Sequence, residues 1–265
     1  GQRLDDIYKK YKGELVGKKV YEKYPDKFPL LIKFLDVNDR LSIQVHPSDE
    51  VAMKKHNEFG KSESWYIVYA SDDATLILGT KPGVTKEKFL EKVKNNDFSD
   101  LFEERSVKTG DFIDVTPGTV HASLKGSVIF AEIQQSSDIT YRIYDFDRID
   151  KDGKKRELHL DNAADVIDFG KKVEIKNTNF KNGETEKNII KNKFYSIDKI
   201  KILDSYEDFC SESMIIYTVL DGNGKIFWNE NEFLELKKGE NILIPVNLKV
   251  QLEGNFEILR TTIEE

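Results

Sequence analysis

The sequence predicts a mainly β protein, a sandwich or barrel, with a few short helices inserted in its N-terminal part. Short runs of β-branched and aromatic residues recur with turn residues between them, above all after Ser106. Such regular spacing of short strands is typical of sandwiches and barrels. Helical periodicity, in contrast, is confined to a few short segments. The chain of 265 residues is long enough for one large β domain or two smaller ones.

The strands are predicted from apolar runs bounded by turn residues. Asn38 and Asp39 separate the first two runs and mark a turn. The predicted strands cover residues 30–36, 41–46, 112–115, 127–134 and 140–144. Residues 65–69 and 75–79 are expected to pair as a hairpin across Ser71-Asp-Asp.

The helices are predicted from capping residues and apolar periodicity. Ser48 or Asp49 can cap a helix that continues to about Asn57. Thr85 can cap an amphipathic helix over Lys86–Lys94. Two further short helices are predicted at residues 4–11 and 161–169.

A polar segment divides the chain into two predicted domains. Residues 171–193 are dominated by Lys, Asn, Glu and Thr, and this composition predicts a linker. Residues 1–170 would then form the first domain, which carries the candidate site, and residues 194–265 the second.

The second domain echoes part of the first. The run Val107-Lys-Thr-Gly-Asp-Phe-Ile-Asp-Val-Thr-Pro117 is similar to Leu236-Lys-Lys-Gly-Glu-Asn-Ile-Leu-Ile-Pro245, and Tyr66 can be matched to Tyr217. In this match Glu63 falls on Met214 and His121 falls near Lys249, so only the first unit keeps ligand-type side chains. A chance echo is the alternative, because strand–Gly–strand–Pro patterns are common in β proteins.

Composition excludes several classes of function. The formal net charge is −7, so there is no overall basic field to attract nucleic acid. No apolar run approaches the roughly 20 residues that span a bilayer, so no membrane segment is expected. The single Cys210 excludes a disulfide within this chain and fits a reducing compartment, which predicts a cytoplasmic protein.

Three short stretches carry side chains that could bind a divalent cation. Gln44 and His46 alternate in a predicted strand and therefore share a face. Glu63 begins an apolar run, and His121 follows the tight turn at Pro117. Two imidazoles, a carboxylate and an amide oxygen suit a cation of borderline softness, zinc first, although the amide is the weakest of the four. Spacing alone leaves a metal site and structural histidines equally open, while His56 and His159 are interpreted as surface residues.

Three charged residues are candidates for catalysis, each with a structural alternative. Arg142 lies in a predicted strand, where its guanidinium could bind an oxyanion or phosphate, or could belong to an ion-paired ladder. Glu132 lies in an apolar strand and could carry a proton or pair with Arg142. Lys61 precedes Glu63 by two residues and either shares its face or is solvated.

Four stretches of the sequence form an ordered series through most of the chain. They are Gln44-Val-His46-Pro, Gly60-Lys61-Ser-Glu63-Ser-Trp-Tyr, Pro117-Gly-Thr-Val-His121-Ala and Ser137-Asp-Ile-Thr-Tyr-Arg142-Ile-Tyr-Asp-Phe-Asp-Arg148. Each stretch is weak alone, but the series is specific because it runs in order. Taken together, the stretches resemble the short bacterial type of class I mannose-6-phosphate isomerase (phosphomannose isomerase), a zinc enzyme of the cupin superfamily.

The resemblance implies two cupin-like β-barrels, of which the second lacks the metal set. It implies an active-site arginine at Arg142, supporting roles for Lys61 and Glu132, and Zn²⁺ bound by Gln44, His46, Glu63 and His121. The expected reaction interconverts mannose 6-phosphate and fructose 6-phosphate through a cis-enediol, with a phosphosugar as the binding partner. Either Glu132 or a water on the metal is expected to be the base.

Two other functions remain open. Another metal-dependent cupin, such as an iron dioxygenase or a sugar epimerase, would be indicated by bound iron and oxygen consumption. A non-catalytic sugar-binding cupin would bind hexose phosphates without forming a ketose. No motif specifies the oligomeric state.

Overall fold

The computed structural model describes residues 1–149 and 151–263 and confirms the mainly β fold class. The strands are β1 (Leu30–Val37), β2 (Ile43–Val45), β3 (Glu63–Ala70), β4 (Thr75–Thr80), β5 (Phe102–Ser106), β6 (Asp111–Val115), β7 (His121–Lys125), β8 (Val128–Gln135), β9 (Tyr141–Tyr144), β10 (Ile175–Asn177), β11 (Glu186–Lys191), β12 (Tyr195–Ile202), β13 (Ser205–Asp208), β14 (Ile215–Phe227), β15 (Phe233–Lys237), β16 (Asn241–Ile244) and β17 (Val250–Ile263). The helices are α1 (Leu4–Tyr11), α2 (Gly13–Val16), α3 (Lys18–Lys23), α4 (Asp49–His56), α5 (Lys86–Lys94) and α6 (Leu160–Val166). None of the helices described here is long and apolar enough to cross a membrane.

The chain forms two compact units whose limits differ from the predicted domains. One unit is Leu30–Asn177, and the other combines Gly1–Pro29 with Thr178–Glu265. The N-terminal residues join the second unit through backbone hydrogen bonds, because the carbonyl of Val16 accepts from the N–H of Met214 at 3.2 Å. Such long-range pairing is not visible in local composition. Asp150 and the last two residues of the predicted second domain, Glu264 and Glu265, lie outside the described residues.

The segment predicted as a linker, residues 171–193, contains two strands. These strands are β10, which pairs with β6, and β11, which pairs with β12. Both strands lie at the end of a sheet, where a polar sequence is compatible with a backbone ladder. Ile189 and Ile190 bury their side chains and anchor β11.

The unit Leu30–Asn177 consists of two five-stranded sheets with the orders β1-β8-β3-β6-β10 and β5-β4-β7-β2-β9. Trp65 and Phe130 of the first sheet pack with Leu76 and Leu78 of the second, so the two sheets enclose a common core. The predicted hairpin of residues 65–69 with 75–79 is wrong, because β3 and β4 belong to different sheets. Two neighbouring apolar runs show the same local sequence pattern whether they pair with each other as a hairpin or belong to different sheets.

Two helices cover the outer face of the second sheet. Phe89 and Val93 of α5 and Ala163 of α6 pack against apolar side chains that include Ile77 and Ile143. The predicted cap of α5 is confirmed, since the Thr85 hydroxyl accepts a hydrogen bond from the N–H of Lys88 at 3.3 Å. With this face covered, the opposite face of the sheet is left to carry the site.

The second unit is built on a seven-stranded sheet in which the long strand β14 lies between β17 on one side and β15 and β16 on the other. Its core contains Tyr217, Leu252, Ile258 and Phe256 among the buried side chains. The described strands are antiparallel to their neighbours throughout this sheet.

The sequence echo between the units corresponds to a repeated strand arrangement, but in a register shifted by one residue. Trp65 lies opposite Ile113, as Tyr217 lies opposite Ile242, and the β-bulges after Ile67 and after Val219 occupy the same place in the two ladders. This register matches Trp65 with Tyr217 and Glu63 with Ile215. The sequence match of Glu63 with Met214 is therefore wrong by one position, which in a strand means the opposite face.

Candidate metal centre

His46 and His121 point unsatisfied nitrogens into the interior of the first unit. His46 follows β2 and is 1% exposed, and His121 begins β7 and is fully buried. The Nδ1 atom of His46 lies 2.9 Å from the carbonyl of Ile139, and that of His121 lies 2.9 Å from the carbonyl of Thr119. Because a carbonyl can only accept, each Nδ1 carries the proton and each Nε2 keeps a free lone pair, as in metal-binding histidines.

Glu63 completes a group of three ligand-type side chains. Its Oε1 lies 3.2 Å from Nε2 of His121, and its Oε2 lies 3.6 Å from Nε2 of His46. All three ligand atoms lie within 4.8 Å of one another. Ligands of a tetrahedral zinc lie roughly 3.3–3.6 Å apart, as follows from bonds of about 2.0–2.2 Å. The spacing of the triad therefore fits a metal ion.

The hydrogen-bonding state of these atoms supports the same conclusion. Among the described residues, Nε2 of both histidines and Oε1 of Glu63 are buried without a hydrogen-bond partner. Buried polar atoms are nearly always paired in folded proteins, so three unpaired atoms that face one another indicate a ligand.

Burial sets the protonation of the triad. It holds the pKa of His46 well below its ordinary value and lowers the pKa of His121 to about 4, so both rings are neutral at pH 7. Burial, followed by the charge of Glu132, raises the pKa of Glu63 to about 7. Lys61, whose Nζ lies 2.9 Å from Oε2 of Glu63, opposes this rise. A bound cation would favour the ionised carboxylate further.

Gln44 lies beside this triad. It is opposite His121 on one side and opposite Arg142 on the other, so the three side chains form a row across the sheet. Its Oε1 lies 3.5 Å from the hydroxyl of Ser42, at the limit of a hydrogen bond. The position suits a fourth ligand, and the role of Gln44 stays a prediction.

Arg142 approaches the site from the edge strand β9. Its Nη1 donates to the carbonyl of Glu157 at 3.0 Å, whereas its Nε is buried and has no partner among the described residues. Burial, followed by repulsion from Arg156, lowers the pKa of Arg142. The ordinary pKa of arginine is so high that the group still carries its charge at neutral pH. A charged group with a free donor next to Gln44 in this row suits an anionic ligand.

Glu132 is held by two partners, neither of which is Arg142. Its Oε2 accepts from the indole N–H of Trp65 at 2.9 Å, and its Oε1 lies 2.6 Å from Nζ of Lys33. The predicted alternative, an ion pair between Glu132 and Arg142, is therefore replaced by the pair with Lys33. Glu132 is 3% exposed, and it lies on β8 opposite Trp65 and Lys33.

Sequence reasoning missed Lys33 and Gln134. Lys33 interrupts the apolar run Leu30-Leu-Ile-Lys33-Phe-Leu, and this interruption was the available signal. Gln134 is fully buried opposite Glu63, and its amide donates to the carbonyl of Ser137 at 3.0 Å. No local pattern distinguishes such a glutamine from one on a surface.

The remaining two histidines differ from each other. His56 is exposed, and its Nε2 lies 2.8 Å from the hydroxyl of Tyr141. His159 is half-buried, and its Nδ1 accepts a hydrogen bond from the main-chain N–H of Arg142 at 3.2 Å. Its interpretation as a surface residue therefore missed a contact with the site.

Comparison with known proteins identifies the family. The family model described as phosphomannose isomerase type I, catalytic domain, matches residues 1–67, and the model described as mannose-6-phosphate isomerase, cupin domain, matches residues 185–263. A probable mannose-6-phosphate isomerase of Bacillus subtilis, GmuF, is 36% identical over 98% of this chain and 81% of its own length. The mannose-6-phosphate isomerase of Streptococcus mutans is 35% identical over 100% of this chain and 82% of its own length. The chain belongs to the mannose-6-phosphate isomerase family.

A solved structure of the same family supports the fold. The crystal structure of the mannose 6-phosphate isomerase from Bacillus subtilis matches with a TM-score of 0.81 and 32% identity, over 92% of this chain and 81% of that one. The predicted resemblance, the cupin fold and the prediction of an enzyme are thus confirmed. For a mannose-6-phosphate isomerase, the triad of His46, Glu63 and His121 fits a metal cofactor.

Proposed function

We propose that the chain is a zinc-dependent isomerase that interconverts D-mannose 6-phosphate and D-fructose 6-phosphate through a cis-enediol. The observation that carries the proposal is the set of buried, unpaired ligand atoms of His46, Glu63 and His121 in a chain of this family. The phosphosugar substrate and the cytoplasmic location are parts of the same proposal.

Zinc is the proposed metal because of the chemistry of the ligands. His46 and His121 would supply neutral nitrogens, Glu63 a carboxylate oxygen and Gln44 an amide oxygen. When bound, the ion would supply a Lewis acid that stabilises negative charge developing on the sugar. Lys61 is proposed to act through Glu63, since its ammonium group lies against that carboxylate and favours the ionised form.

Negative charge that develops on the sugar oxygen is the main obstacle to the reaction, and we propose that Arg142 stabilises this charge. Its guanidinium is fixed at one end by the carbonyl of Glu157 and keeps Nε free to donate. A fixed donor in a buried site stabilises a developing oxyanion more than it would in water. Arg142 is therefore proposed to bind the enediolate.

Glu132 is the proposed proton carrier. The reaction takes a proton from C2 and returns one to C1, and in a cis-enediol both carbons present the same face. One carboxylate can therefore serve both positions. The indole N–H of Trp65 and the ammonium group of Lys33 hold the two oxygens of Glu132 in place, and Lys33 is a second group able to carry a proton.

A coupled assay of fructose 6-phosphate formation from mannose 6-phosphate tests the proposal. Turnover should disappear after treatment with a chelator and return with added Zn²⁺. Turnover that persists in a metal-free sample would contradict a metal enzyme. Restoration by Fe²⁺ with oxygen consumption would instead favour a dioxygenase, and sugar binding without any ketose would favour a binding protein.

His121→Ala tests the ligand assignment, with His56→Ala as the matched control. The first variant should lose both bound zinc and turnover, because a ligand is removed. The second removes an exposed imidazole of the same unit, and it should keep both. Full activity of His121→Ala would show that the metal is held elsewhere.

A further inference from the structure

The segment 156–159 runs beside the edge strand β9 and holds Arg142 at three points. The main-chain N–H of Arg142 donates to Nδ1 of His159 at 3.2 Å, and its carbonyl accepts from the N–H of His159 at 2.7 Å. The side chain of Arg142 donates through Nη1 to the carbonyl of Glu157 at 3.0 Å. Both the backbone and the guanidinium of Arg142 are thus fixed by two residues of one segment.

This arrangement takes the place of a neighbouring strand. β9 is the last strand of its sheet, so the backbone groups on its outer side have no ladder partner in that sheet. His159 satisfies both main-chain groups of Arg142, one with its ring and one with its own N–H. The chain then enters α6, for which His159 is the N-cap residue.

The segment is itself anchored by a buried carboxylate. Asp145 directly follows β9, is 5% exposed, and accepts hydrogen bonds from Arg148 and from Nε of Arg156 at 2.7 Å. Burial would raise the pKa of Asp145, but the hydrogen bonds from Arg156 and Arg148 outweigh it and lower the pKa. Asp145 therefore ties the start of the segment back to the end of β9.

We propose that His159 is a positioning residue for Arg142, and that the segment 156–159, anchored on Asp145, sets the orientation of the guanidinium toward the sugar oxygens. The inference rests on the proposed role of Arg142 in the isomerase reaction. It assigns a function to a charged segment that would otherwise be an ordinary surface loop. His159 acts through Arg142 and does not touch the substrate.

The hydrogen bonds specify which imidazole tautomer is required. Nδ1 accepts from an N–H, so in the neutral ring the proton is on Nε2, which lies 3.9 Å from the carboxylate of Glu157. An asparagine carries an acceptor oxygen close to the position of Nδ1, whereas alanine carries none. Asparagine is also a good residue at the start of a helix, so His159→Asn preserves the beginning of α6.

The experiment compares His159→Ala, His159→Asn and the control His56→Ala in zinc-loaded protein. His159→Ala should lower kcat by about 10- to 100-fold while KM changes by less than about threefold, because a displaced guanidinium weakens the transition state more than the bound sugar. His159→Asn should recover most of the lost kcat. His56→Ala removes the contact between this imidazole and the hydroxyl of Tyr141, which precedes Arg142 in β9. This control should leave kcat within about twofold of the parent value.

A double-mutant cycle separates positioning from general damage to the strand. In an Arg142→Ala background, His159→Ala should cause no further fall in kcat, because the residue through which it acts is already absent. An additional fall of the same size as in the parent would overturn the inference. So would a folded His159→Ala enzyme with the kcat of the parent, or a loss that His159→Asn does not reduce.

Arg156→Gln keeps the test decisive if His159→Ala does not fold. This variant loosens the segment at Asp145 but leaves His159 in place, and it should lower kcat in the same manner by a smaller factor. An unchanged kcat for a folded Arg156→Gln would then overturn the inference. Failure of the proposed function looks different, because in that case the parent protein itself forms no fructose 6-phosphate, or Arg142→Ala retains full activity.

Discussion

The two β units share a strand arrangement but use their buried charges in opposite ways. In the first unit Lys33 lies opposite Glu132, and in the corresponding ladder of the second unit Asp198 lies opposite Arg260. Glu132 and Arg260 lie on the middle strand of their ladders, and each has an aromatic residue opposite it on the other side. This residue is Trp65 for Glu132 and Tyr217 for Arg260. The sign of the charge is thus reversed between equivalent positions, while Glu63 is replaced by Ile215.

The second unit pairs the charged groups of this ladder with one another. Asp208 accepts from the hydroxyl of Tyr217 at 2.6 Å and from Arg260 at 2.6 Å and 3.0 Å, and Asp198 lies 3.5 Å from Arg260. Burial and Asp208 raise the pKa of Tyr217, which keeps this phenol neutral. The first unit leaves the ligand atoms of its triad unpaired among the described residues. We call the network around Asp208 closed, because its charged atoms pair with one another, and the triad open, because it keeps unpaired atoms. On the same strand arrangement, a closed network therefore indicates a structural role and an open one indicates a functional site.

Replacing the carboxylate of the triad should have the largest effect. Glu63→Gln keeps the shape but weakens a ligand, and we expect turnover to fall by more than about 100-fold with loss of bound zinc. The metal-free variant should nevertheless be as stable as the metal-free parent, or more stable, at pH 8. Unfolded Glu ionises near pH 4.5 and folded Glu63 near pH 7, so the parent loses stability as the pH rises through this window, by up to about 3 kcal/mol.

Urea denaturation and zinc analysis of both metal-free proteins check this prediction. A marked loss of stability in metal-free Glu63→Gln at pH 8 would mean that Glu63 is a structural ion-pair partner of Lys61. The comparison between an open and a closed polar network would then fail.

The equivalent experiment in the second unit should affect stability and not turnover. Asp208→Asn leaves Arg260, whose side chain is 15% exposed, without its main partner, and should cost about 3–5 kcal/mol. The folded variant should keep the kcat of the parent. Asp221→Asn is the control, because Asp221 is an exposed partner of Lys238 in the same unit. A fall in kcat without a loss of stability would give the second unit a direct part in the reaction.

The pH dependence of zinc binding should report on the first unit alone. Below about pH 7 Glu63 takes up a proton that must leave when the metal binds, so the apparent affinity should fall about tenfold per pH unit between pH 7 and pH 5. His121 adds no second proton in this range, because burial lowers its pKa to about 4. Competition titrations with a chromogenic chelator measure the slope. A slope of two protons would show that a histidine titrates with the carboxylate.

Short sequence patterns marked the three residues of the triad as candidate ligands but did not reveal the groups that support them. Glu63 and His121 each begin a strand and His46 directly follows one, and such positions are visible along the chain. Lys33 looks like any lysine in a strand until its partner Glu132, almost one hundred residues away, is known. The contact of His159 with Arg142 likewise depends on how a charged loop returns to an edge strand.

The same limit explains the errors in topology. The alternation of β3 and β4 predicts strands but not the sheet to which each belongs. The match of Tyr66 with Tyr217 followed residue identity, whereas the fold preserves the inward position and therefore matches Trp65 with Tyr217. Pairing partners are set by long-range burial, which local sequence does not record.

Replacing Lys249 should have the smallest effect on stability and turnover of the substitutions considered. The sequence echo placed it near the position of His121, but its side chain is 65% exposed and pairs at 2.7 Å with Glu207, which is 64% exposed. Lys249→Ala should therefore change the free energy of unfolding by less than about 0.5 kcal/mol and leave turnover unchanged. Equilibrium urea curves and the coupled assay measure both quantities. A clear loss of activity would assign the second unit a charged contact with the reaction, and the division between an open and a closed network could no longer account for where function lies.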